Sequence, residues 1–195
     1  MKICRFATVL ALGLVAAACS SDNEQAVKLQ QEAAVLLAKA NSDPAQMDQA
    51  LALTDQALDL EPDYAPALAT RYKIRVARRE YGQALEDINH IHQIAPKDTS
   101  VILPRCMLME RLGQQGDAQQ CYTQADHTLR SLYRDEGAIN TDVLAATILA
   151  RDPEAEQLKE RYLEQQRTMS PAQGADAART IGRFEDGTYL RHYFP

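Results

Sequence analysis

Ala50 to Asp63 reads ALALTDQALDLEPD, and Ala84 to Asp98 reads ALEDINHIHQIAPKD. In each stretch an alanine is followed twelve residues later by a proline, Pro62 or Pro96; the two alanines stand 34 residues apart, and so do the two prolines. The same interval beyond Ala84 arrives at Ala118, in LGQQGDAQQCYTQAD, where Gly113 and Gly116 mark a turn ahead of it. Alanine, leucine, glutamine and glutamate are good helix formers, and proline ends a helix because it has no N–H to donate. The period therefore spells a helix with a small residue near its start, written three times, with a stop at its end in the first two. Outward from these stretches the chain keeps the same character from Asn23 onward, with no alternating strand pattern until its last dozen residues. Asp43-Pro44, Asp152-Pro153 and Ser170-Pro171 each place a capping side chain before a proline at the first helical position, which predicts three helix starts, the first of them for the helix that carries Ala50.

A 34-residue unit with a small residue early in its second helix and a proline after it resembles the tetratricopeptide repeat, a helix-turn-helix module. The unit from Ala65 to about Asp98 carries the resemblance at Leu68, Tyr81, Ala84 and Pro96. The unit before it, about Gln31 to Tyr64, carries it at Leu37, Ala38, Ala50, Ala57 and Pro62; the unit after it, about Thr99 to Leu132, at Ile102, Cys106, Gly113, Ala118 and Ala125. Three departures stand out. Arg71 and Tyr72 replace the family's usual large and small residues, which should spread the two helices of that unit or turn Tyr72 outward. Pro104 falls inside a first helix, which suits a helix starting at Val101 after a Ser100 cap. Arg130 replaces the terminating proline of the third unit. One hairpin cannot bury its apolar face alone, so stacked neighbours supply the core and the ends need caps. The expected fold is all-α: a solenoid of about three such hairpins over residues 24–134, then a helical cap over 141–195 with a helix closing at Gly182 and a short aromatic tail.

The tail, RFEDGTYLRHYFP, gathers Phe184, Tyr189, Tyr193 and Phe194. Asp186-Gly187 is a two-residue hairpin signal, and the pairing it implies sets Phe184 opposite Tyr189. A hairpin this small is unstable alone. It either packs back on the cap or across a groove of the repeats, or it waits for a partner.

The first residues read differently. Lys2 and Arg5 form a charged start, Phe6 to Ala18 is apolar or small, and the run is too short to cross a bilayer, which takes about 20 such residues. At Cys19 the pattern resembles the bacterial lipoprotein box, with Ala16 where the family usually has leucine. The resemblance implies a signal peptide over 1–18, lipidation of Cys19 and a polar linker over 19–23, with the first helix starting near Glu24. Ser20 after the cysteine resembles the sorting signal that sends such proteins to the outer membrane of Gram-negative bacteria, facing the periplasm. The alternative is an ordinary secretory signal that leaves a free thiol. With Cys4 removed and Cys19 alkylated, Cys106 and Cys121 are the remaining pair, 15 residues apart on two antiparallel helices. An oxidising compartment favours a disulfide between them; the other reading is two buried thiols.

The net charge of −6 gives no basic surface for nucleic acid. His90 and His92 lie two apart and point to different sides of a helix, and His127 and His192 are isolated, so no metal ligand set is expected. No phosphate-cradling glycine loop, nucleophile elbow or Cys-x-x-Cys occurs. The expectation is a protein with no catalytic residue, metal or cofactor. The repeat resemblance instead implies a protein or peptide partner on the concave face. The matching positions are Lys39 in the first unit, then Ala69, Lys73, Val76 and Ala77 in the second, then Leu103, Met107, Glu110 and Arg111 in the third. The run RYKIRVARR adds Arg71, Arg75 and Arg78 or Arg79 along one side of a helix. This is either a solvated stripe trading salt bridges with Glu80, Glu86 and Asp87, or a docking patch for a carboxylate-rich partner.

Two functions follow from the resemblances. One is a lipid-anchored, non-catalytic adaptor in envelope, secretion or pilus assembly. The other is an immunity protein that neutralises a periplasm-acting phospholipase or wall hydrolase.

Overall fold

The computed structural model describes the backbone of residues 7–40, 43–134 and 138–195, and side chains from residue 22 within these ranges. The signal-peptide reading of residues 1–18 and the thiol of Cys19 lie outside the described side chains. The fold is all-α, with ten helices and no strand among the described residues. It falls into two units divided between Ile94 and Ala95.

Unit 1 holds α1 (Ala7–Lys39), α2 (Pro44–Leu60), α3 (Ala65–Ala77) and α4 (Tyr81–Ile94), with α1 against α2 and α3 against α4. No proline or glycine stands between Leu14 and Asn41, so nothing stops α1, and residues 19–23, expected as a polar linker before a helix near Glu24, are helical. Asp43 caps α2 as expected, its Oδ1 accepting from the Ala45 N–H at 3.0 Å. Ala33, Ala40, Met47, Ala50 and Ile74 form a core, flanked by Leu36, Leu37, Leu51 and Leu53.

Unit 2 holds α5 (Thr99–Arg111), α6 (Gln115–Leu132), α7 (Thr141–Leu149), α8 (Ala155–Met169), α9 (Pro171–Glu185) and α10 (Tyr189–Tyr193). The third hairpin, α5 with α6, thus belongs with the helices expected as a separate cap. Side chains explain why: Asp126 on α6 accepts from the Thr147 hydroxyl of α7 at 2.6 Å, and Arg130 reaches Asp152 at 3.4 Å and Glu154 at 2.6 Å. Leu144, Tyr162, Ala177 and Ile181 make a second core from α7, α8 and α9.

The period is visible in the helix ends. α3 and α5 start at 65 and 99, and α4 and α6 at 81 and 115, each 34 apart. α2 and α4 stop at Leu60 and Ile94, just before Pro62 and Pro96, whereas α6 runs to Leu132, four residues past the matching position. Arg130 in place of proline keeps its N–H, so the helix gains a turn. Burial repeats too: Ala50, Ala84 and Ala118 are all inside, as are Ala33, Ala67 and Val101, and Ala40, Ile74 and Leu108.

Several local expectations are corrected. The cap of α5 is Asp98, whose Oδ1 accepts from the Ser100 N–H at 3.0 Å, so the helix starts at Thr99 and carries Pro104 within its second turn. Asp152 accepts from the Glu154 N–H at 2.8 Å in a turn, and α8 begins only at Ala155. Ser170 does cap α9. That helix does not close at Gly182 but continues to Glu185, with Phe184 buried two residues farther on. The tail is not a β-hairpin. Asp186 Oδ1 accepts from the N–H and hydroxyl of Thr188 at 2.8 and 2.7 Å, and Gly187 takes φ +73°, so the Asp-Gly pair joins two helices. The Phe184 and Tyr189 rings still meet, centroids 5.4 Å apart, across that turn.

Arg79 (φ 62°) and Gly113 (φ 80°) hold the same left-handed position after α3 and α5, 34 residues apart. Both close a helix: the Arg79 and Glu80 N–H groups reach Val76 and Arg75 carbonyls, and those of Gly113 and Gln114 reach Glu110 and Met109. A side chain is strained there and glycine is not. Arg79→Gly is therefore expected to raise stability by about 1 kcal/mol. A urea titration should show a higher midpoint at unchanged slope; a lower midpoint would refute the strain argument.

Candidate functional site

In unit 1 the arginine stripe is turned to its own helices. The Arg71 guanidinium bonds Asp87 through Nη2 at 2.7 Å and Nε at 3.0 Å, and Asp55 through Nη1 at 2.8 Å. Arg75 Nη1 lies 2.7 Å from the other Asp87 oxygen, and Arg78 pairs with Asp48 at 2.5 Å and Glu80 at 2.7 Å. Asp87 is only 2% exposed, so the part shared by Arg71, Arg75 and Asp87 is a buried network, whereas Arg78 trades its ion pairs at the surface. The buried network is also how the hairpin accommodates Arg71: α3 and α4 still pack together, and Tyr72 is half-buried, its desolvation pushing the phenol up to about 12. Among the other residues expected on a partner-binding face, Lys39, Lys73 and Ala77 are exposed, and Ala69 and Val76 are half-buried. His90 pairs with Asp63 at 2.7 Å.

In unit 2 the expected residues divide, with Glu110 half-buried and Arg111 exposed. Leu103 and Met107 are buried. Glu110, in the last turn of α5, is the acceptor at the centre of a cluster. The Tyr122 hydroxyl, from α6, donates to Glu110 Oε2 at 2.7 Å, and the Tyr189 hydroxyl, from α10, donates to the same oxygen. The two phenol oxygens lie 3.4 Å apart. Beside them, Arg111 Nε donates to the Phe194 carbonyl at 3.3 Å. Burial, then the close Tyr189 hydroxyl and Glu110, drive the Tyr122 phenol far above its ordinary range; burial and then Glu110 do the same for Tyr189. Both stay protonated donors at neutral pH, opposite a carboxylate acceptor.

Local sequence positions these groups. Cys106 and Cys121 are joined in a disulfide with Cα atoms 5.3 Å apart, bridging α5 and α6. Glu110 follows Cys106 by four residues, hence on the same helix face, and Tyr122 is next to Cys121. The cross-link therefore holds both walls of the cluster. Around it opens a cleft of about 310 Å³, to which Gln115, Gln119, Arg151 and Glu185 contribute. Gln119 Nε2 donates to the Ala150 carbonyl at 3.0 Å, capping the end of α7. A second cleft, about 430 Å³, lies beside His127, Arg130 and Tyr133, where Arg130 is already engaged by Asp126, Asp152 and Glu154.

Comparison with protein-family models, curated proteins and solved structures finds no match. Function must be read from this chain's own residues. Among the described residues, no group of three His, Cys, Asp or Glu side chains could hold a metal ion, and no helix is long and apolar enough to cross a membrane.

Of the expected site residues, the structure brings Glu110 and Arg111 together with the aromatic tail. It engages Arg75 and Arg78 inside unit 1. Tyr122 was not legible as a site residue, although a signal existed: it follows Thr54 and Ile88 at the 34-residue period, all three are buried, and a phenol at a core position requires a buried acceptor.

Proposed function

We propose that the chain is a tetratricopeptide-type lipoprotein, anchored to the outer membrane through Cys19 and facing the periplasm, that binds a protein partner and performs no chemistry. The observation that carries this reading is the third hairpin. Its inner positions Glu110 and Arg111 hold a short aromatic segment by a side-chain acceptor and a side-chain donor, the way a helical repeat seats a peptide. Small crossing residues at the 34-residue period support the repeat identity, and the ordered start, apolar run, small triplet and cysteine support the anchor.

Anchoring and binding are tested together in a Gram-negative host. The full chain should sediment with outer membranes and take up an alkyne-tagged palmitate, and Cys19→Ser should appear in the soluble periplasm without label. A variant that stays in the membrane fraction would defeat the anchor. Cross-linking of the anchored chain should trap one reproducible protein, lost on Arg111→Glu; a wall hydrolase or phospholipase toxin in that place would turn the reading to immunity.

A further inference from the structure

We propose that the segment Thr188–Pro195 is an intramolecular occupant of the site formed by Glu110 and Tyr122 with Arg111 beside them, and that the partner enters the same site with a segment of matching chemistry. That segment would carry a tyrosine whose hydroxyl is given to Glu110 and, five residues later, an aromatic residue whose backbone carbonyl accepts from Arg111. The inference rests on the adaptor reading above and names what the adaptor recognises.

Four observations support it. First, α10 is five residues long, too short to hold as a helix by itself, so its conformation comes from docking. Second, it is joined to α9 through Gly187 in a left-handed conformation, a pivot that a glycine supplies without strain. Third, its anchoring alternates as a bound peptide's does: Tyr189 and Phe194 are 3% and 2% exposed, whereas Arg191, His192 and Tyr193 between them face solvent. Fourth, an open cleft of about 310 Å³ adjoins the docked Tyr189, lined also by Gln115, Gln119 and Arg151. A partner segment with longer polar side chains would reach the Gln115 and Arg151 side chains that line this cleft.

Tethering sets the size of the effect. A short linker gives a local concentration in the millimolar range. If the tail's own affinity is about 10 μM, it fills the site about 99% of the time and weakens a competitor about 100-fold.

The probe is a fluorescein-labelled peptide of residues 187–195, titrated against the full chain and followed by anisotropy. Tyr189→Ala with Phe194→Ala should bind it about 100-fold more tightly than the unaltered chain, and adding Glu110→Gln should remove most of that binding. Tyr189→Phe, which keeps the ring and removes only the donated hydrogen bond, should bind several-fold more tightly than the unaltered chain. Equal binding by all four chains would overturn the proposal. So would absence of binding to Tyr189→Phe with its helical circular dichroism intact. The peptide is the chain's own, so this assay reads the cleft without partner or membrane. A positive result beside a Cys19→Ser variant that stays membrane-bound would reject the anchor and keep the cleft.

Discussion

Asp87→Ala is expected to destabilise the protein by about 3 kcal/mol, near the lower end of the range for breaking a buried ion pair. The carboxylate is 2% exposed and shared by Arg71 and Arg75, which are themselves only 20% and 15% exposed. Alanine would leave two guanidinium groups partly inside with no acid between them. Asp55 still holds one Nη of Arg71, and the Gln83 carbonyl still accepts from Arg75 at 3.1 Å, so the loss stays below the top of the range. Urea unfolding followed by circular dichroism measures it. The interior position makes the effect nearly independent of salt, unlike that of a solvated stripe. A cost under about 1 kcal/mol, the scale of exposed pairs, would show that the network is solvated after all. Replacing Arg71, Arg75 and Asp87 together by Met, Met and Leu should recover most of the loss, because the apolar set no longer leaves a charge unmatched.

Removing the disulfide should cost a similar amount. Cys106 and Cys121 are 15 residues apart, and closing a loop of that length restricts the unfolded chain by about 3 kcal/mol. Cys106→Ala with Cys121→Ala is the appropriate pair, since both positions are buried and alanine adds no hydroxyl. For a chain of this size the loss corresponds to roughly 6–12 °C in melting temperature. A reducing agent should lower the melting temperature of the unaltered chain equally and leave that of the double variant unchanged. A double variant that melts with the unaltered chain would show that the bond contributes nothing. The bond also ties Glu110's helix to Tyr122's, so its loss should loosen the tail as well as the hairpin, seen as faster amide exchange over 189–194.

What could be read in the residues follows from the range of the forces involved. Helix, stop and period are local: Ala84 and Pro96 announce α4, and the 34-residue recurrence of Ala50, Ala84 and Ala118 predicts buried crossings that the structure shows in all three hairpins. Even the overrun of α6 was written at Arg130, the missing proline. The cleft was half legible. Glu110 and Arg111 were named from their repeat positions, and the tail from its aromatic residues, but Glu110 and Tyr189 are 79 residues apart and no periodic pattern links them.

The sequence by itself determined an all-α chain of helix hairpins, the ends of α2 to α5 within a few residues, and which small residues lie at the crossings, because hydrogen bonding and amphipathic burial within a helix depend on neighbours a few positions away. Only the tertiary structure decided three other things. Asp87 sits inside, at the period position that Cys121 holds in the next hairpin, so the arginines turned inward to match its charge. The third hairpin joined α7 to α9, because Asp126 and Arg130 find their partners there. The Asp-Gly turn joined helices instead of strands, because docking Tyr189 on Glu110 and burying Phe194 give the last residues more than a two-stranded ribbon with no third strand could.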